Sequence, residues 1–151
     1  MEKADIAKAI NKIISIRATK KRPYPFLYEN EFREVLQAND ELAVLSFLMQ
    51  YKLQEEFEVN ERRTVTKNKQ GFMNSHEKYG TLIAEAILCG GEVFMPPGGF
   101  KADGLRFQDQ MLYAMHVGRR YAASTLRATI KSIIAEDEEL QKLAAPFNIK
   151  P

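Results

Sequence analysis

Apolar residues return every three or four positions over most of this chain, with polar residues filling the gaps between them. That period predicts helices. Ile6, Ile10, Ile13 and Ile14 fall on one side of a helix over residues 3–18. Pro23 and Pro25 end it, because proline lacks the amide donor and pushes its predecessor into extended backbone. Tyr24, Phe26, Leu27 and Tyr28 of that extended stretch are available to a core. Asn30 reads as the cap of a short helix to about Ala38. Asp40 reads as the cap of a longer one, with Leu42, Leu45, Leu48 and Met49 at helical spacing, ending near Phe57.

Between residues 57 and 70 the period shortens. Phe57, Val59, Thr64, Val65 and Thr66 alternate with polar residues, which fits a small β-hairpin or a polar loop rather than a helix. Helical spacing resumes at Asn74-Ser75-His76-Glu77, where Asn74 as cap and Glu77 three residues on form a capping box. Tyr79, Leu82, Ile83, Ala86 and Ile87 point inward from the helix that follows, and Gly90-Gly91 stops it. Residues 92–104 read as a Pro/Gly loop. The last element runs from about Leu105 to Ala144, with Met111, Leu112, Met115, Ala122, Leu126, Ile130 and Ile133 on one face and Pro146 forbidding continuation. Within it, Gly118 with Ala122 either admits a second helix at close range or breaks the helix in two. The expected fold is all-α: a single-domain helical bundle over 1–151 of four to six helices, with a long C-terminal helix and a small β-hairpin or loop near 57–70.

Composition narrows the class. A chain of 151 residues, 45% hydrophobic and 28% charged, is one ordinary globular domain. No stretch approaches the roughly 20 apolar residues of a membrane span, and charged residues interrupt the N-terminal apolar positions, unlike a signal peptide. Cys89 is the single cysteine, so a reducing, cytoplasmic setting is expected, with Cys89 buried in its apolar run as a structural thiol. The net charge of +2 is too small to define a partner, but its distribution is uneven. From Gln110 to Ala135 there are basic residues and no acid, and the same holds from Ser15 to Arg22.

That unevenness supplies the first candidate site. Asp109, Tyr113, His116, Arg120, Arg127 and Lys131 share a stripe opposite the apolar face of the last element. Guanidinium groups bind phosphate bidentately and a tyrosine can stack on a base, so the stripe fits a nucleic acid or an acidic protein surface. The plain alternative is a solvated helix face; a third reading is self-association against Glu136–Glu139 of a neighbouring subunit. Lys20, Lys21 and Arg22 form a second basic patch, which a helix C-terminus also favours on its own. Phe94, Met95 and Phe100 in the 92–104 loop are candidate subunit or partner contacts, or fold back on the core. A Mg²⁺ site would need converging carboxylates; Glu77, Glu85 and Glu92 are the nearest approach to one, while His76 reads as a solvated or capping residue. Motifs of P-loop, CxxC, HExxH and GxSxG type are absent.

One resemblance to a known family is carried by Glu61-Arg62-Arg63, then Lys69 through Tyr79, then Leu82 to Val93. This stretch, within about a quarter of the chain, resembles small phage-type MazG-like proteins, which are all-α, Mg²⁺-dependent nucleoside triphosphate pyrophosphohydrolases. The family's Glu-Glu-x-x-Glu pattern falls here on Ala84, Glu85 and Leu88, so only Glu85 keeps its carboxylate, with Glu92 matching a further acid. The resemblance therefore implies a helical scaffold that has lost most of its metal ligands. The leading expectation is a non-enzymatic binding or assembly protein, a homo-oligomer without a cofactor. The alternative is a divergent pyrophosphohydrolase using Mg²⁺ on Glu77, Glu85 and Glu92.

Overall fold

The computed structural model describes residues 2–22, 24, 25, 28–60, 72 and 74–145. Among them are seven helices and one two-stranded sheet: α1 (Lys3–Ser15), α2 (Glu29–Ala38), α3 (Asp40–Asn60), α4 (Asn74–Cys89), β1 (Phe100–Ala102), β2 (Leu105–Phe107), α5 (Gln110–Arg119), α6 (Ala122–Ile134) and α7 (Glu138–Ala144). The all-α class stands, with one helix more than the upper expectation. Among these residues no helix is long and apolar enough to cross a membrane.

The bundle is organised around α3, which packs on α1, α2, α4, α5 and α6. Leu42, Ala43, Leu45, Phe47, Leu48, Met49 and Leu53 of this helix are all buried. A helix apolar on every side is one that neighbours surround. It starts one residue earlier than Asp40 suggests, because the Asn39 side chain accepts the Leu42 amide at 2.8 Å. Against it lies α5, where Gly118 sits so close that a β-carbon would overlap the carbonyl of Ala43. Two polar residues of α3, Ser46 and Gln50, are fully buried and satisfied. The Ser46 hydroxyl lies 2.7 Å from both the Gly118 carbonyl and Thr125 Oγ1, and Gln50 Nε2 donates to Thr125 Oγ1 at 2.9 Å.

The long C-terminal helix expected over 105–144 is instead a strand and three helices. Gly118 serves the close approach and not the break, which falls at Arg120-Tyr121. There the Arg120 amide bonds the Val117 and Gly118 carbonyls, closing α5, while Tyr121 leaves helical backbone. The bend lets α5 pack on α3 and α6 pack on α1. Asp137 then caps α7 by accepting from the amides of Glu139 and Leu140, which is why the helix does not run on from Ile134.

A hairpin is present, but at residues 100–107. Phe100 pairs with Phe107, Lys101 with Arg106 and Ala102 with Leu105. The two loop residues, Asp103 and Gly104, both have positive φ (52° and 78°), the conformation of a type I′ turn. Of the expected 57–70 hairpin, residues 57–60 form the last turn of α3 and 61–70 lie outside the described residues. The helix stop at Gly90-Gly91 is as expected: Gly90 has φ 74° and the Gly91 amide returns to the Ala86 carbonyl at 2.7 Å. Cys89, just before it, is exposed and not the buried thiol expected, since it lies at the open end of α4.

Candidate functional site

The turn of the hairpin places Asp103 over the junction of α4, α5 and α6. Its carboxylate collects both histidines of the chain. His76, in the first turn of α4, brings Nε2 to 3.0 Å from Oδ1, and His116, in α5, brings Nε2 to 2.8 Å from Oδ2. Arg120, at the end of α5, reaches the same Oδ2 with Nε at 3.5 Å. The His76 ring is fully buried, and its other nitrogen, Nδ1, lies 2.6 Å from the Tyr121 hydroxyl.

Proton positions follow from the partners. An ionised carboxylate only accepts, so both Nε2 atoms carry hydrogen and donate to Asp103. In neutral His76 the Nδ1 is then an acceptor, and the Tyr121 hydroxyl donates to it. Burial acts to raise the Asp103 carboxyl, but the bonds from His116 and His76, with the electrostatic pull of His76 and Arg120, outweigh it and hold it below the ordinary aspartate range. Tyr113 lies beneath, its hydroxyl directed at the His76 carbonyl at 3.4 Å. Burial, helped by Tyr121 and Asp103, pushes that hydroxyl well above its usual value.

The basic stripe is thereby divided. Tyr113 is a core residue, fully buried and edge-on to Phe47, Tyr79 and Phe107. It cannot stack on a base, because it lies on the inner side of α5. His116 is half-buried against the Phe107 ring. Arg120 is exposed beside Asp103. Arg127 and Lys131 are exposed one turn apart on α6. Lys20, Lys21 and Arg22 are exposed after α1, with Arg22 paired to Glu31 and lying 4.6 Å over the Tyr28 ring.

The loop splits as well. Phe94 is 93% exposed and Met95 is exposed, whereas Phe100 is only 2% exposed and packs on Tyr79 and Tyr113. Phe100 is thus core and no partner contact, because pairing with Phe107 turns both toward α5. The loop backbone is pinned by Gln110, which accepts the Val93 amide and donates to the Gly91 carbonyl, both at 2.9 Å. Of the carboxylates considered for Mg²⁺, Glu85 accepts from the Tyr51 hydroxyl at 3.2 Å, Glu92 is exposed in the loop, and the Glu77 side chain lies outside the described residues. Among the described residues no group of three His, Cys, Asp or Glu is arranged to hold a metal ion.

The Asp103 cluster escapes the sequence reading because each member looks ordinary where it stands. His76 reads as a helix-start residue and turns out to be buried. The available signal was Phe100-Lys101-Ala102-Asp103-Gly104-Leu105-Arg106-Phe107, an Asp-Gly pair between alternating apolar residues. No family model, curated protein or solved structure matches the chain.

Proposed function

We propose that this chain is a non-enzymatic helical binding module for a polyanion, with nucleic acid as the partner and Arg127 and Lys131 of α6 as its principal contact. One contrast supports the reading. Arg17, Arg22, Arg33, Arg119 and Arg120 each meet an acid of the same chain: Glu34, Glu31, Glu29, Asp40 and Asp103. Arg127 and Lys131 stand exposed on one face, with no carboxylate at ion-pair distance among the described residues. Exposed ion pairs are worth under about 1 kcal/mol, so the paired arginines are only weakly held. Arg127 and Lys131, like exposed Arg106, meet no such competitor among the described residues. Lys20 and Lys21, also exposed, extend the proposed contact.

The reading includes assembly. Phe94 and Met95 are the proposed contact between copies of the chain, and an exposed lone Cys89 suits a reducing cytoplasm. Binding of a fluorescent oligonucleotide, followed by anisotropy at low salt, tests the main claim. Loss of binding in Arg127→Ala/Lys131→Ala supports it. Undiminished binding in that variant overturns it. Mg²⁺-dependent nucleoside triphosphate hydrolysis abolished by Glu85→Gln would establish the enzymatic alternative instead.

A further inference from the structure

We propose that His116 and Arg120 form a binding site for a phosphate-type anion and that the ligand enters together with a proton on His116. The site is separate from the α6 face and stands on different residues.

The geometry begins with a shared atom. His116 Nε2 and Arg120 Nε both address Oδ2 of Asp103, at 2.8 and 3.5 Å. The two residues are one turn apart on α5, so one carboxylate oxygen orients an imidazole and a guanidinium side by side. Oδ1 is occupied from the inside by buried His76, whose remaining nitrogen is engaged by Tyr121. The carboxylate is therefore spent on holding the donors. The donors themselves are not spent. Only Arg120 Nε faces Asp103, and the guanidinium fork keeps its terminal N–H groups on an exposed side chain. His116 Nδ1 has no hydrogen-bond partner among the described residues.

Charge decides when an anion is welcome. The groups facing the site are His76 from α4, Asp103 from the hairpin, Tyr113, His116 and Arg120 from α5, and Tyr121 from the α5–α6 junction. Arg119 turns away, to Asp40 and the Leu36 carbonyl. With both imidazoles and both phenols neutral, the carboxylate and Arg120 cancel. An anion then gains nothing from net charge, and the C-terminal end of α5 opposes it. Protonation of His116 makes the cluster cationic and adds an N–H donor at Nδ1. Anion and proton therefore bind cooperatively, each raising the affinity for the other. A free phosphate and the phosphate of an oligonucleotide present the same chemistry to this pair.

The test is nuclear magnetic resonance of the histidine ring nitrogens in the intact protein, titrated at pH 6 and pH 8. Inorganic sulfate is the main probe, because its charge is constant over that range. Inorganic phosphate and a short oligonucleotide are further arms, and chloride at matched ionic strength is the control. Sulfate is expected to shift the His116 nitrogens and leave His76 in place. Its affinity should fall by as much as about tenfold per pH unit once His116 loses its proton. Arg120→Ala should remove the sulfate response while the fold and the His76 signals persist. Absence of a sulfate-specific shift, equal affinity at both pH values, or an undiminished response in Arg120→Ala would each overturn the proposal. A response to sulfate and phosphate but not to the oligonucleotide assigns the site to a free anion. Arg127→Ala/Lys131→Ala should leave the sulfate response intact, so this site and the α6 face stand or fall separately.

Discussion

Asp103 and His116 are joined by a 2.8 Å bond between a type I′ turn and a helix 13 residues further along the chain. The turn forces positive φ on Asp103, a conformation that Asp and Asn tolerate better than other side-chain-bearing residues. The position therefore suits a carboxylate that must reach back to the bundle from the tip of a hairpin.

Replacing Asp103 should expose this coupling through pH. Its folded carboxyl is held below the ordinary value. The stability it contributes is thus fully present above about pH 4, the unfolded aspartate range, and disappears as pH falls through the lower folded value. Denaturant unfolding of Asp103→Asn against the parent chain should show destabilisation at pH 7 and little difference at pH 2. Asparagine keeps the turn conformation, so the difference reports the charge. A gap of equal size at both pH values would contradict the assignment.

Tyr121→Phe preserves the ring, which packs edge-on to His76 and Phe72, but removes the hydroxyl bonded to buried His76 Nδ1. An unsatisfied buried acceptor costs about 1–3 kcal/mol. Chemical denaturation should show a loss of that order, and the His76 ring nitrogen signals should move.

Gly118→Ala should be among the most damaging single-atom changes in the chain. The added carbon overlaps the Ala43 carbonyl, which is backbone and cannot rotate away. Overpacking of this kind costs roughly 1–3 kcal/mol and sometimes more. The loss should reach the upper end of that range in equilibrium unfolding, and α3 and α5 must part to relieve it.

The two aromatic residues of the 92–107 region should separate by the same measurement. Phe100→Ala empties a buried site between Tyr79 and Tyr113 and should cost about 3–5 kcal/mol. Phe94→Ala removes a 93% exposed ring and should change monomer stability by less than about 0.5 kcal/mol. If Phe94 joins copies of the chain, the same variant should lower the mass found by light scattering.

Helical period was readable in α1 and α3, but it misplaced the inner face of α5, where Met111 and Leu112 are exposed and Tyr113, Ala114 and Val117 are buried, and Leu82 of α4, expected inward, is exposed. Ile6, Ile10 and Ile14 are buried as their spacing implies, and α3 declared itself by apolar density. Boundaries set by tertiary contacts were not readable. Arg120-Tyr121 contains no helix breaker, and the bend there is imposed by the differing partners of α5 and α6. The hairpin carried a local Asp-Gly signal, but its flanking strands are only three residues each and sit inside a Pro/Gly-rich segment. The site was half legible. His116 and Arg120 belonged to the basic stripe by helical spacing, while Asp103 and His76 joined it only through long-range packing. Tyr113 shared the stripe by angle and yet faces inward, because β2 and α4 cover that side of α5.

The most direct test of the proposed function is the salt dependence of oligonucleotide binding by the parent chain and by Arg127→Ala/Lys131→Ala. Two phosphate contacts contribute a slope of about −1.8 to log affinity against log salt on duplex DNA. The double variant should bind more weakly at low salt, with a slope shallower by about that amount. Equal affinity and equal slope in the two proteins would contradict the proposed function.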